Sequence, residues 1–418
     1  TDQYILIKSD EIFATDQPKG EIQKISNVID SNNFDIYDRT FDSYNTSDNA
    51  RIIPIDHKNE IYLKDFKIIM GGSGTNHRGI KLDYVVNVNI ENLQGVKCHE
   101  RFIKLKGCIN TNINNIKVVE SNRDGYGYGV SVSDASMDTK ILNSSFIKCR
   151  HSVAHGTSGD GVPRFSEVLN CDSKQSKNYG FDCHATTEFI KFKNNNIYPD
   201  SHGGFNLSGK NVDCINNTII GVNNRGINIV ENKGKLVKDN KIVNSESYPI
   251  YVADNLDDIK IVNNHVEDYN THGIYFVSTG SIHVHCKISE NTLIDAISES
   301  DARAIKLEKM LESKIDDNII YNADSWGIFI RDSEQLTINN NLVKNCGNTG
   351  IQVYNSDSGS YEDLNILGNL CRGNAGNGLK VNSGYDFVLI DNNNLAGNTN
   401  NSLDESTGSN SLIGNNLT

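Results

Sequence analysis

The sequence predicts an all-β chain, a right-handed single-stranded parallel β-helix of about 13 coils behind a short N-terminal cap. Three observations predict it. A phrase recurs in which a turn and a small residue precede an apolar–x–apolar strand: "RGIKL", "RFIKL", "YGVSV", "YGFDC", "GGFNL", "RGINI", "HGIYF", "WGIFI", "NGLKV". Its first apolar residue falls at Ile80, Ile103, Val130, Val153, Phe181, Phe205, Ile227, Ile250, Ile274, Ile305, Ile328, Ile351 and Leu379, a period of about 25. A second phrase, Asn–x–apolar, keeps nearly the same period at Asn217, Asn240, Asn264, Asn291, Asn318 and Asn340. Helical 3.6 periodicity is almost absent, and only five prolines interrupt the chain. Short β-branched strands at a fixed period of 20 to 30 mark a solenoid.

Each element follows from the stacking. Coils lie about 4.8 Å apart, so like residues form ladders. Apolar ladders fill the interior, and Asn ladders bond neighbouring backbone at the turns. A Gly or small residue precedes the inward Ile where the backbone is expected to bend. Residues 1–70 lack the phrase and read as a cap; 71–418 read as the β-helix, with a cleft near 150–205. Within the cap, "GEIQKISNVIDSNN" (20–33) predicts a short amphipathic helix that plugs the N-terminal end against edge pairing.

Composition narrows the function. With 40 Lys plus Arg against 53 Asp plus Glu, the net charge is −13, which disfavours a general nucleic-acid binder. No run approaches the roughly 18 apolar residues of a membrane span, and no signal peptide begins the chain; the first residue, Thr1, suggests that a preceding portion was removed. The nine Cys include no Cys-x-x-Cys and sit in apolar strand patterns, as small hydrophobes of a protein folded in a reducing compartment.

Chemistry concentrates in "RHSVAHGTSGDGVPRFSEVLNCDSKQSKNYGFDCHA" (150–185). If the inward residue of a coil is zero, positions +1 and +3 face outward, which puts Asp182 and His184 on the outer face of one strand. Small residues beside them leave room for a ligand. Arg150 and His151 enter from the neighbouring coil, with Tyr128 and Tyr179 at the matching positions either side. The surplus "GTSGDGVPR" predicts a loop walling the cleft and bringing Arg164 across, and "YPDSHGG" adds Asp200 and His202. Strict alternation turns His155 inward, unless the strand breaks at Gly156 and frees it. His283 and His285 are expected to face water around an inward Ile282, Val284 and Cys286. "GGSGTNHRG" lacks the Lys-Ser/Thr of a phosphate loop and reads as a turn. Arg78 and Arg101 stack on successive coils, to contact an anionic chain or to neutralise surface carboxylates.

From about residue 70 onward the pattern resembles the pectate-lyase-like β-helix of phage tail spikes and depolymerases. Within it, "RHSVAH…GVPR…LNC…YGFDCHA" is similar to a motif in tail appendage proteins of phages of Gram-positive bacteria. The resemblance implies hydrolysis of phosphodiester bonds in glycerol-phosphate wall teichoic acid by a virion tail protein. It would be a homotrimer bound to other tail or baseplate proteins, folded in the host cytoplasm and acting at the host surface, with no nucleic-acid or membrane partner. Arg150, His151, Arg164, Asp182 and His184 match the motif position by position; His155 matches less closely.

The expected roles follow from the chemistry. Arg150 and Arg164 would grip the non-bridging oxygens, with Tyr128, Tyr179 and His202 lining the substrate. His151, His155 and His184 would move protons. Asp182 would orient a histidine or, with His184 and Glu188, hold a divalent cation such as Ca or Mg. Two other readings stand beside this one. The fold also hosts polysaccharide lyases and glycosidases, although a glycosidase needs paired carboxylates and only Asp182, Glu188 and Asp200 are near. A non-catalytic receptor-binding fibre would need only the groove. "LIGNNLT" stops in mid-pattern, which suggests an end covered by three-fold association.

Overall fold

The computed structural model describes residues 3–14, 17–30, 33–37, 39–70, 78–156, 159–253, 256–297, 301–357, 359–400, 403–408 and 410–418. It is an all-β parallel solenoid of about 14 turns with an antiparallel N-terminal cap. The chain forms two compact units, Thr1–His202 with Asn206–Asp213, and Gly203–Phe205 with Cys214–Thr418. The Gly-rich stretch 71–77 lies outside the described residues.

In the first unit the cap is a sheet in which Tyr4–Ala14 runs antiparallel to both Gln17–Val28 and Arg51–Ile55. The expected helix over 20–33 is therefore a strand as far as Val28. Its Ile22, Ile25 and Val28 are β-branched and suit a sheet. Their helix-like spacing is absorbed by a register shift between Ile25 and Asn27. Ile22 pairs with Leu6, and both bury against Ala135 of the solenoid. Parallel pairing begins ahead of the Gly–Ile phrase, with Lys58–Lys64 on Val85–Glu91 and Lys67–Ile69 on Gln94–Val96.

In the first unit a full coil carries three short strands, as in Arg101–Lys106, Ile109–Asn114 and Lys117–Val119. Ile103, Val130, Val153 and Phe181 are fully buried and stack in register. Asn115, Asn143 and Asn170 turn the corners with φ of 54°, 50° and 54°, a conformation Asn tolerates better than most residues. The glycine before the inward residue is explained by crowding more than by a bend. A Cβ at Gly129 would lie 2.4 Å from the Ser152 carbonyl of the next coil, and one at Gly79 would lie 2.7 Å from that of Phe102.

The second unit repeats the phrase from Ile227 to Leu379, and Leu403–Glu405 adds a strand that lacks it. A buried Asn ladder runs through it. Asn240 Oδ1 accepts from both the Asn217 backbone N–H (3.0 Å) and Nδ2 (2.9 Å), and Asn240 Nδ2 donates to the Cys214 carbonyl (2.8 Å). Asn264, Asn291 and Asn318 continue the pattern. The next member is Asn341 in place of the expected Asn340, whose φ of 55° puts it at the exposed corner. All nine cysteines are buried and free.

His283 departs from expectation. It is buried, with Nε2 bonded to the Val277 carbonyl, while Ile282 is exposed. His285 sits at φ 53°, which shifts the alternation by one; it faces out between Asp257 and Glu312.

Candidate active site

The strand Tyr179–Cys183 buries Phe181 and Cys183 and turns Asp182 outward. Ala154 lies beside Asp182 on the preceding coil, and its small size leaves the carboxylate open to larger neighbours. Three groups converge on it. His184 Nε2 lies 3.0 Å from Oδ2, His151 Nε2 lies 3.6 Å from the same oxygen, and Asn206 Nδ2 donates to Oδ1 at 2.8 Å. Burial alone would raise the Asp182 pKa. The positive charge available on His184 and His151, with the hydrogen bonds from His184 and Asn206, instead holds the carboxyl below the ordinary range.

The two imidazoles are held differently. His151 is almost fully buried; its Nδ1 donates to the Tyr179 carbonyl at 2.8 Å, so Nε2 carries the lone pair when the ring is neutral. Burial lowers its pKa against the pull of Asp182. The His184 side chain is 53% exposed, whereas those of His151 and Asp182 are almost wholly buried. Its bond to Asp182 sets the Nε2–H tautomer and makes Nδ1 the basic nitrogen. Gly156 lies under this ring, where a Cβ would stand 3.2 Å from it.

Tyr128 pairs in register with His151, ring centroids 5.5 Å apart, and the Arg150 guanidinium sits 5.9 Å from the Tyr128 ring. Tyr179 meets exposed His202 edge-on at 6.3 Å. Asp200 is exposed.

Three expected members lie elsewhere. Arg164 is wholly buried and begins the strand Arg164–Leu169 of a different sheet. There it bonds Glu188 (3.1 Å) and Asp42 of the cap segment (2.6 Å), beneath the rings of Phe13 and Phe41. The loop expected to carry it across turns to the cap instead. Val162 N–H donates to Gly20, and Asp160 pairs with Lys8 and Lys106; Thr157 and Ser158 of that loop lie outside the described residues. Glu188 is held by Arg164 and Lys210, so it does not join Asp182 and His184. Among the described residues no three His, Cys, Asp or Glu side chains converge as a metal site. His155 stays inward because the strand does not break before Gly156; its Nε2 meets Ser166 Oγ at 2.7 Å.

The stacked Arg78 and Arg101 and the Tyr128 beside His151 join in one row, two residues before the inward position. In the first unit it runs Arg78, Arg101, Tyr128, His151, with each paired to the next. Arg101 lies 5.3 Å from the Tyr128 ring, and buried Glu100 is approached by Arg78 (2.9 Å), Arg101 (3.9 Å) and Arg123 (4.0 Å). Tabulating that position coil by coil exposes the row in sequence, since nearly every occupant is cationic, aromatic or His.

The chain is similar to several known proteins. Over 90 residues the chain is 32% identical to "Depolymerase, capsule K1-specific" of Klebsiella phage K64-1, which is 21% of this chain and a tenth of that protein. Among solved structures it is similar to the tailspike protein gp49 of Pseudomonas phage LKA1, at 15% identity and a TM-score of 0.49 over 93% of this chain and 60% of that one. It is also similar to the Gp54 tailspike of Acinetobacter baumannii bacteriophage AP22, solved with a capsular saccharide, at 15% identity and a TM-score of 0.44 over 99% and 62%. The chain thus spans under two thirds of each of these proteins. The model of the right handed beta helix region matches residues 165–305 and 296–417, more than half of the sequence, and the protein belongs to that family.

Proposed function

We propose that the chain is the β-helical part of a phage tail spike that depolymerises an acidic polysaccharide on the bacterial surface. The observation that carries this is the Asp182 carboxylate shared by His184 and His151 at the end of an arginine–tyrosine row. The similarity to a capsule-specific depolymerase supports the substrate class. Three arginines (Arg78, Arg101, Arg123) around one buried carboxylate, Glu100, with Arg150 beside the Tyr128 ring, make an anion-binding surface on a chain of net charge −13.

Elimination fits these residues better than paired-carboxylate hydrolysis, which needs a second acid near Asp182. His184 Nδ1 takes the proton α to a uronate carboxylate, Asp182 stabilises the imidazolium, and Arg150 holds the substrate charge. The glycosidic C–O bond breaks as the double bond forms, and the leaving oxygen takes a proton from solvent.

A glycerol-phosphate substrate keeps one favourable observation, the two imidazoles on one carboxylate. It loses Arg164, half of the two-arginine clamp expected for a phosphodiester. The test is to incubate the protein with an acidic capsular polysaccharide and, separately, with glycerol-phosphate teichoic acid. Elimination yields unsaturated uronate ends seen by ultraviolet absorbance; hydrolysis yields reducing ends without that absorbance. Release of phosphomonoester from teichoic acid, with the capsule untouched, overturns the reading. An EDTA arm reports any need for a divalent cation.

A further inference from the structure

The second unit carries a surface that the proposed chemistry does not use. On the strands Ile250–Val252, Ile274–Phe276, Ile305–Glu308 and Ile328–Arg331, the residue after the inward one faces out. These are Tyr251, Tyr275, Lys306 and Phe329, aligned in register. Two residues before the inward position stand Tyr248, His272, Arg303 and Trp326. On the outer face of a strand such positions are ordinarily polar; here aromatic rings pack side by side, with Tyr275 and Phe329 buried among their neighbours and Tyr248, Tyr251, Lys306 and Trp326 partly exposed. Tyr248 lies 5.4 Å from Tyr251 and 5.2 Å from Tyr275, and Trp326 lies 5.6 Å from Phe329.

Cations are threaded among the rings. Arg225 stacks 3.5 Å over Tyr251, Lys306 is 4.3 Å from the Tyr275 ring, and Arg303 lies between Phe329 (4.0 Å) and Trp326 (4.6 Å). One buried carboxylate anchors the group. Glu308 takes Lys306 at 3.1 Å, Arg331 at 2.9 Å, the Tyr275 hydroxyl at 3.3 Å and the Ser278 N–H at 3.2 Å. Asp301 and Asp332 approach Arg303 and Arg331 from the rim. Aromatic faces suit the apolar faces of a sugar ring, and fixed guanidinium and ammonium groups suit its carboxylate.

We propose that this surface is a second saccharide site, which binds an anionic sugar residue and holds polymer without cleaving it. It shares with the proposed function only the ligand class, an acidic glycan. Glu308 is committed to Lys306 and Arg331 and is not placed to take a proton.

Trp326 is the chain's only tryptophan, so tryptophan emission, excited selectively over tyrosine, reads this surface. The probe is a hexuronic-acid tetrasaccharide, compared with its carboxyl-reduced neutral counterpart, with calorimetry on the same proteins. The uronate probe is expected to change the emission saturably and the neutral probe to bind at least tenfold more weakly. Arg331→Gln, at a partly exposed side chain, and Tyr251→Ala should each raise Kd at least tenfold. Circular dichroism checks the fold of each variant, and Arg331→Gln alone decides if Tyr251→Ala misfolds. His184→Ala should leave the titration unchanged. Absence of saturable emission change and of binding heat overturns the proposal, as does equal binding of the neutral probe or wild-type affinity in Arg331→Gln. Wild-type protein that binds the probe here yet cleaves no polysaccharide would sink the proposed function and leave this site standing.

Discussion

Asp182 and Glu308 are both buried carboxylates on outward strand positions, and their partners make them different objects. Asp182 is met by two imidazoles and an amide, whereas Glu308 is met by an ammonium, a guanidinium, a phenol and a backbone N–H. Imidazoles exchange protons near neutral pH; ammonium and guanidinium groups hold theirs. The Asp182 setting thus suits the proposed proton transfer and the Glu308 setting the proposed binding surface, and the difference lies in the side chains of the neighbouring coils.

Removing the exchanging group has the largest expected effect. His184→Ala should lower polymer cleavage by roughly 10²–10⁴ with little change in melting temperature, because the ring is half exposed. Steady-state assay of released ends checks it, and wild-type turnover would move the chemistry elsewhere. Arg164 comes next. Replacing it by Ala strands Asp42 and Glu188 in a buried setting, an effect of about 3–5 kcal/mol for a broken buried pair. Denaturant unfolding should show that loss, whereas Arg150→Ala, at a partly exposed guanidinium, should raise KM and leave stability unchanged.

Glu308→Gln is the counterpart on the other surface. It leaves Lys306 and Arg331 without their shared anion, and a loss of about 1–3 kcal/mol is expected for the unmet donors. Cleavage of a short oligosaccharide should be unchanged. A turnover loss as large as that of His184→Ala would show that the two carboxylates are not functionally distinct.

What could be read beforehand depended on how often an environment recurs. The Gly–Ile phrase marks one crowded backbone approach repeated coil after coil, so its period exposed the fold. Asp182 and His184 were legible for the same reason, since alternation along a known strand fixes their side. Arg164 was not, because its partner Asp42 belongs to no repeat and is remote in sequence, although Glu188 stands beside it in register on the next coil. The segment 20–33 misled because three Ile/Val at helical spacing also fit a strand with a slipped register. His283 misled because a single left-handed residue, His285, reverses inside and outside. The row at Tyr248, His272, Arg303 and Trp326 was visible in principle, but it lies two residues before each strand and outside the stretch dense in histidine.

The mildest test uses the two histidines on either side of one wall. His184 faces solvent, while His155 points inward and burial brings its pKa down to about 4 from 6.5. A histidine kept neutral by the fold takes up its proton more readily when unfolded. Its contribution to stability is therefore fully present above pH 6.5 and declines as pH falls toward 4. Between pH 7 and 5.5 the change amounts to about 1 kcal/mol. Asp182 acts in the same direction but only at lower pH, since its carboxyl is held below the usual range. His155→Gln keeps an amide for Ser166 and removes the titration, so the difference in unfolding free energy between variant and wild type should shrink by about that amount across this interval. An unchanged difference would mean that the ring is already protonated, or reaches water, in the folded protein. The inside and outside of this strand would then no longer differ in the way the comparison requires.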